Sequence, residues 1–256
     1  MRLKQVIMTF NGVNMESKVS FNEIAWAAFC FYDRSVADKK YCKIMCDTEF
    51  MDKLRYYPGT ISPSEFEQKI LLDHVNISSY DLLLGHKLAD GLLTKIVALQ
   101  QDLRTLQNIT LLDCNFSNER ITNSIKRIYS DLATVPGLWI TGVSKIAHLL
   151  QPDLLVLLNL NISTHFNLLA GSTGLIEWFK ILQTTALQVK MDFQEKGFPS
   201  TPELYISERL GYVKNGCHKS LVKYLDELYW LRFADGVEIP PQWTPAQDLV
   251  PILVTR

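Results

Sequence analysis

The sequence predicts a mainly α-helical protein with a small N-terminal β-hairpin. Three observations carry that prediction. Apolar residues recur at spacings of three and four through most of the chain beyond Phe21, which is the period of a helix with one buried face. Alternation of period two is confined to the first stretch of the chain. The composition, 47% apolar and 21% charged, is close to that of ordinary globular domains and supplies enough apolar surface for a packed core.

The elements follow in order. Val6, Met8 and Phe10 alternate with mostly polar neighbours, Asn11-Gly12 offers the positive-φ turn of a hairpin, and Val13, Met15, Ser17, Val19 and Phe21 resume the alternation. Glu23–Asp33 is apolar on nearly every face, as a deeply buried helix is. Ser62-Pro63-Ser64-Glu65 is a helix start: Ser62 caps, Pro63 suits the first helical position, and Glu65 stands where a capping box wants a carboxylate. Phe66, Ile70, Leu71 and Val75 then form one stripe. A second helical region, Ser78–Leu106, is expected to break near Asp90-Gly91. Ile121, Ile125, Ile128, Tyr129 and Leu132 mark an amphipathic helix, and Leu175, Trp178, Phe179, Leu182, Ala186 and Val189 mark another. Thr201-Pro202 opens a short helix ending near Gly211. Leu221, Leu225, Leu228 and Trp230 lie on a last long one, with Leu225, Leu228 and Trp230 facing inward. The proline-rich tail from Val237 reads as extended.

No internal repeat or low-complexity linker divides the 256 residues. They read as a single mostly helical domain, with room for two lobes, one holding the residue 1–20 hairpin and one the segment 121–165. A net charge of −1 and a pI of 6.5 argue against a surface that coats polyanions throughout, and leave a local basic face open. The five cysteines, Cys30, Cys42, Cys46, Cys114 and Cys217, are odd in number and irregularly spaced, so free thiols in a reducing compartment are expected. His74 and His86 stand at no metal-binding spacing, and no metal is expected. No apolar run approaches membrane-spanning length, and no signal peptide is apparent, which predicts an intracellular, cytoplasmic protein that does not enter membranes. Phosphate-loop, dinucleotide-binding, serine-hydrolase and zincin motifs are all missing, so neither a nucleotide nor another cofactor is expected.

The stretch richest in chemistry is VPGLWITGVSKIAHLLQPDLLVLLNLNI, Val135 to Ile162. Pro136 stops the preceding helix and Gly137 lets the chain reverse. Thr141, Gly142 and Ser144 are small, so backbone amides at the start of the next helix are open to a phosphate, and Lys145 adds a cation. Trp139, at the tip of the turn, is either a packing anchor or a wedge facing a ligand.

This order of helix, Pro-Gly turn, second helix, proline and apolar segment resembles the core of helix-hairpin-helix DNA glycosylases. The resemblance implies a glycosylase-like helical fold and double-stranded DNA as the partner, held through Gly137, Trp139, Thr141, Gly142, Ser144 and Lys145. In that family some members carry a catalytic lysine just after the turn, and an aspartate stands further on. A gap-free reading puts Thr141 at the lysine position and Asn159 at the aspartate position. The implied activity is hydrolysis of the N-glycosidic bond of a modified or mismatched base, without strand cleavage. Asn159 would orient the water, and Asp226 or Glu227, on the last long helix, would replace the missing carboxylate as general base. Base extrusion also calls for stacking side chains, for which Trp26, Phe29, Phe31, Tyr32, Trp139, Trp178 and Trp230 are candidates. His148 shares a helix with Lys145, Asp153 can cap the turn after Pro152, and Arg120, Lys126 and Arg127 precede the hairpin where they can meet phosphates. Two alternatives remain open: a catalytically degenerate DNA- or protein-binding module that keeps the scaffold, and a helical interaction protein whose Pro-Gly turn is coincidental.

Overall fold

A computed structural model describes residues 9–10, 13–14, 19–75, 82–158, 162, 164, 172–213 and 216–238. Over these residues the protein is mainly helical. Two short strands, β1 (Thr9–Phe10) and β2 (Val13–Asn14), pair antiparallel with Phe10 opposite Val13. The alternation expected to continue through Val19 and Phe21 does not: Val19 lies in no strand and Phe21 begins a helix, while Asn11-Gly12, Met15 and Ser17 lie outside the described residues.

The chain then forms α1 (Phe21–Arg34), α2 (Val36–Met45) and α3 (Thr48–Tyr56). Ser20 caps α1 in a reciprocal capping box with Glu23, while Ser35 and Asp47 cap α2 and α3 through their side chains. The two helices α2 and α3 had no apolar stripe strong enough to announce them; their caps are the signal in the sequence. Ser62 accepts from the Glu65 amide at 3.1 Å and opens α4 (Pro63–Phe66). That helix, with Phe66 buried, passes at once into a π-helical segment (Glu67–Val75), which widens the turn and buries Ile70, Leu71 and His74.

Helix α5 (Leu82–Ala98) runs through Asp90-Gly91 without breaking, contrary to the sequence expectation. Gly91 keeps a helical backbone, and a Cβ there would meet Val135 Cγ1 at 3.6 Å, an ordinary contact, so one glycine inside a long apolar helix weakens it without ending it. The interruption falls instead at the buried Leu99, where α6 (Gln100–Leu106) begins. Next come α7 (Glu119–Ala133), capped by Asn118, and α8 (Ile140–Leu150), joined by the Pro136-Gly137 turn. Helices α9 (Ser172–Glu195), α10 (Pro202–Arg209, capped by Thr201) and α11 (Leu221–Phe233, capped by Ser220) complete the fold.

One apolar core joins all of these helices. Helix α1 packs chiefly on α11, as its nearly all-apolar sequence requires, and Phe21, Phe193, Phe198 and Tyr205 form an aromatic cluster at its start. Helix α8 is enclosed by α3, α7 and the π-helical segment, and the segment Leu154–Leu158 beyond it is fully buried. Trp230 departs from its expected orientation: it is 37% exposed, and the inward face of α11 is made by Tyr224, Leu225, Leu228, Tyr229 and Leu231.

Candidate functional site

The hairpin between α7 and α8 has an exposed tip on a buried root. Val135 is buried and its N–H donates to the Leu132 carbonyl at 3.2 Å. Gly137 turns the chain at φ 87°, a conformation that strains residues bearing a Cβ. Trp139 follows, 83% exposed, at the N-cap of α8. Its carbonyl accepts from the Val143 amide, but no side chain caps the helix. The amides of the first turn, at Ile140, Thr141 and Gly142, are thereby left without a side-chain acceptor.

The other residues expected to contact DNA point elsewhere. Thr141 is half-buried. Gly142 is buried, and a Cβ there would come within 2.7 Å of Leu138 Cδ1 and 3.2 Å of Val75 Cγ1, so its role is close packing. Ser144 is fully buried. Its hydroxyl hydrogen lies between the carbonyls of Thr141 and Leu158 at 3.1 and 3.0 Å, and its oxygen accepts from the Leu158 amide at 2.9 Å. Lys145 is half-buried and turned toward the His74 carbonyl, 3.5 Å from its Nζ. The tip of the hairpin is therefore Gly137 and Trp139, while Ser144 and Lys145 hold the root.

The root meets a buried polar layer. His148 is fully enclosed; its Nδ1–H donates to the Leu155 carbonyl at 2.8 Å, which leaves Nε2 to accept from the Tyr41 hydroxyl at 3.1 Å. Burial holds its pKa down to about 4, so it is neutral at pH 7. His74 is also buried, neither ring nitrogen has a hydrogen-bond partner, and burial together with Lys145 keeps its pKa well below the usual value. Asp226 accepts from Lys223 Nζ at 2.9 Å. Burial and the Lys223 charge lower the pKa of Lys145, and Asp226 opposes that shift, so Lys145, Lys223 and Asp226 share one electrostatic neighbourhood.

The chain matches no family model, no curated protein and no solved structure.

Behind Asp226 lies a network that sequence reasoning missed. Lys219, fully buried, pairs with Asp38 and with Glu227 at 2.8 Å, and it donates to the Tyr212 hydroxyl at 2.9 Å. Glu227, also fully buried, has its pKa pushed up to about 7 by burial against the pull of Lys219 and Lys223. The sequence held a trace of this: Lys219, Lys223 and Glu227 recur four apart, and Asp38 shares a face with the buried Tyr41. Lone charges at such spacings ordinarily face solvent, so they gave no warning of a buried network.

Asn159 lies outside the described residues. Its chain neighbour Leu158 is pinned at both backbone groups by Ser144. Among the stacking candidates, Trp26 and Trp178 belong to the core, Phe29, Phe31 and Tyr32 pack partly buried against it, and Trp139 is by far the most accessible. Arg127 lies 3.6 Å from Asp102, Arg120 is near the Thr105 hydroxyl at 3.5 Å, and Asp153 is exposed beside the turn it was expected to cap. All five cysteines are free of disulfides. Among the described residues no group of three or more His, Cys, Asp or Glu side chains is arranged to hold a metal, and no helix is long and apolar enough to cross a membrane.

Proposed function

We propose that the protein is a helix-hairpin-helix DNA glycosylase-like protein that grips double-stranded DNA with the tip of the α7–α8 hairpin. The observation that carries this reading is Trp139, a large aromatic side chain left 83% exposed beside a Pro-Gly turn and an uncapped helix start. An exposed tryptophan at a tight turn can wedge into a base step, and the uncapped amides of Ile140 and Thr141 suit a backbone phosphate. The activity that fits the sequence is intracellular hydrolysis of the N-glycosidic bond of a modified or mismatched base, with Asn159 orienting water and no lyase step.

A second reading is favoured by Asp226. Its carboxylate is already held by Lys223, so it is not free to serve as the general base expected beside Asn159. A DNA-binding module without catalysis requires no such base.

Electrophoretic titration of a duplex at low salt tests the shared premise. Trp139→Ala is expected to weaken binding at least tenfold while leaving the melting temperature unchanged; equal binding by both proteins would sink the hairpin assignment. Base release from duplexes carrying deaminated, alkylated or mismatched bases then separates the two readings. Release that Asn159→Ala abolishes supports the enzyme, and duplex binding with no release on any substrate supports the module.

A further inference from the structure

At the far end of α8 from the hairpin, a cavity of about 390 Å³ opens where α3, α6 and α8 all terminate. Its lining includes Tyr56, Tyr57, Arg104, Gln107, Asn108 and Gln151. The combination is unusual for a surface that serves only solvent. Tyr56 and Tyr57 are 50% and 65% exposed, with ring centroids 6.5 Å apart and planes at 64°. Two adjacent large rings standing out of the fold offer stacking faces to a planar ligand.

The charges sort into structural and available. Arg55 is committed to the fold: its Nε donates to the Leu149 carbonyl at 3.0 Å and so closes the carbonyl end of α8. Arg104, in the last turn of α6, is exposed, and among the described residues no ion pair or hydrogen bond engages its guanidinium. Asp153 is the acid of the lining, and the Arg55 charge lies close enough to act on it. Gln107, Asn108 and Gln151 line it with amide groups, each both donor and acceptor, that no side-chain hydrogen bond engages among the described residues. Asn108 sits at φ 63°, a left-handed position that holds the Gln107–Thr110 turn around the rim.

We propose that this cavity binds a nucleotide: the tyrosine rings stack the base, the amide side chains meet its polar edge, and Arg104 holds the phosphate. The volume is in the range of small-ligand sites, and the recognition is by stacking and a guanidinium, not by a phosphate loop. The site is separate from the hairpin, because the eleven residues of α8 set the two about 16 Å apart along its axis. It does not depend on the DNA-binding reading. The nucleotide's source is either a free mononucleotide or a residue of a single strand.

Calorimetric titration of the full chain with dAMP, deoxyadenosine and a ten-residue deoxyadenosine oligonucleotide tests the proposal. dAMP should bind, and deoxyadenosine should bind at least tenfold more weakly for want of the phosphate. Tyr57→Ala and Arg104→Ala should each weaken dAMP at least tenfold with no change in melting temperature, since both side chains are exposed. Trp139→Ala should leave dAMP binding unchanged, which separates this site from the hairpin. An oligonucleotide that binds tenfold or more tighter than dAMP, with the same dependence on Tyr57 and Arg104, identifies a strand as the source; affinity matching dAMP identifies the free nucleotide. Binding indifferent to both substitutions overturns the proposal, as does no binding of dAMP or the oligonucleotide at millimolar concentration.

Discussion

Ser144 shows how one hydroxyl fixes the path of the chain after α8. It occupies both backbone groups of Leu158 while completely buried. Ser144→Ala would leave the Leu158 N–H and carbonyl without that partner, and the unmet desolvation of such groups costs about 1–3 kcal/mol. Urea unfolding should show that loss at unchanged m-value. His148 makes a second residue-scale prediction. Its folded pKa of about 4 lies below the ordinary histidine value, so the unfolded chain binds the extra proton between about pH 6.5 and 4. Stability from this group is full above pH 6.5 and falls as the pH drops toward 4, by about 3 kcal/mol at most. His74, shifted the same way, adds to the fall. His148→Gln should flatten this acid limb, as read by unfolding at pH 4.5 and 7; an unchanged slope would show that other groups set it.

Among the elements, α8 joins the most features: its start carries the hairpin, its middle carries Ser144 and His148, and its end borders the cavity. Its position depends on Gly142, which brings the helix against Leu138 and Val75. Gly142→Ala would place a methyl group 2.7 Å from Leu138 Cδ1 and 3.2 Å from Val75 Cγ1. Leu138 can swing aside, but doing so disturbs the turn that presents Trp139. A loss of about 1–3 kcal/mol is expected from overpacking, together with weaker duplex binding than the stability change explains. Thermal unfolding beside the DNA titration would reveal both. Helix periodicity accounts for the divided fate of the predicted contact residues: Ser144 and Lys145 lie a full turn beyond the tip and fall on faces covered by Leu158 and by the π-helical segment.

For the whole molecule, the buried network of Asp38, Lys219, Lys223 and Glu227 ties α2 to α11 and the chain before it. Glu227 carries the opposite pH sign to His148. Its folded pKa, raised to about 7, means that the folded protein holds the extra proton between about pH 4.5 and 7, so its contribution declines as pH rises through that window. The two slopes offset each other in the intact protein. Glu227→Gln removes the declining one while Lys219 keeps Asp38 and Lys223 keeps Asp226. Unfolding free energies from pH 4.5 to 7.5 should then rise more steeply with pH than in the parent, even though breaking a buried pair lowers stability overall. A parallel profile would mean that Glu227 stays ionised throughout.

The sequence by itself determined the helical class and several helix starts, because apolar periodicity and caps such as Ser62 and Thr201 act over a few residues. It also marked the Pro136-Gly137 turn and set Trp139 apart from the other aromatics. It did not reveal α2 and α3, whose stripes are short, nor that α5 would run on through Asp90-Gly91. Tertiary structure alone decided that Ser144 and Lys145 turn inward, that Trp230 faces outward, and that Lys219 answers Asp38. It also decided that Tyr56, Tyr57 and Arg104 share one cavity with Gln151. Those outcomes depend on which distant segments cover each helix face, and burial, unlike periodicity, is a property of the neighbours a residue meets only in the folded chain.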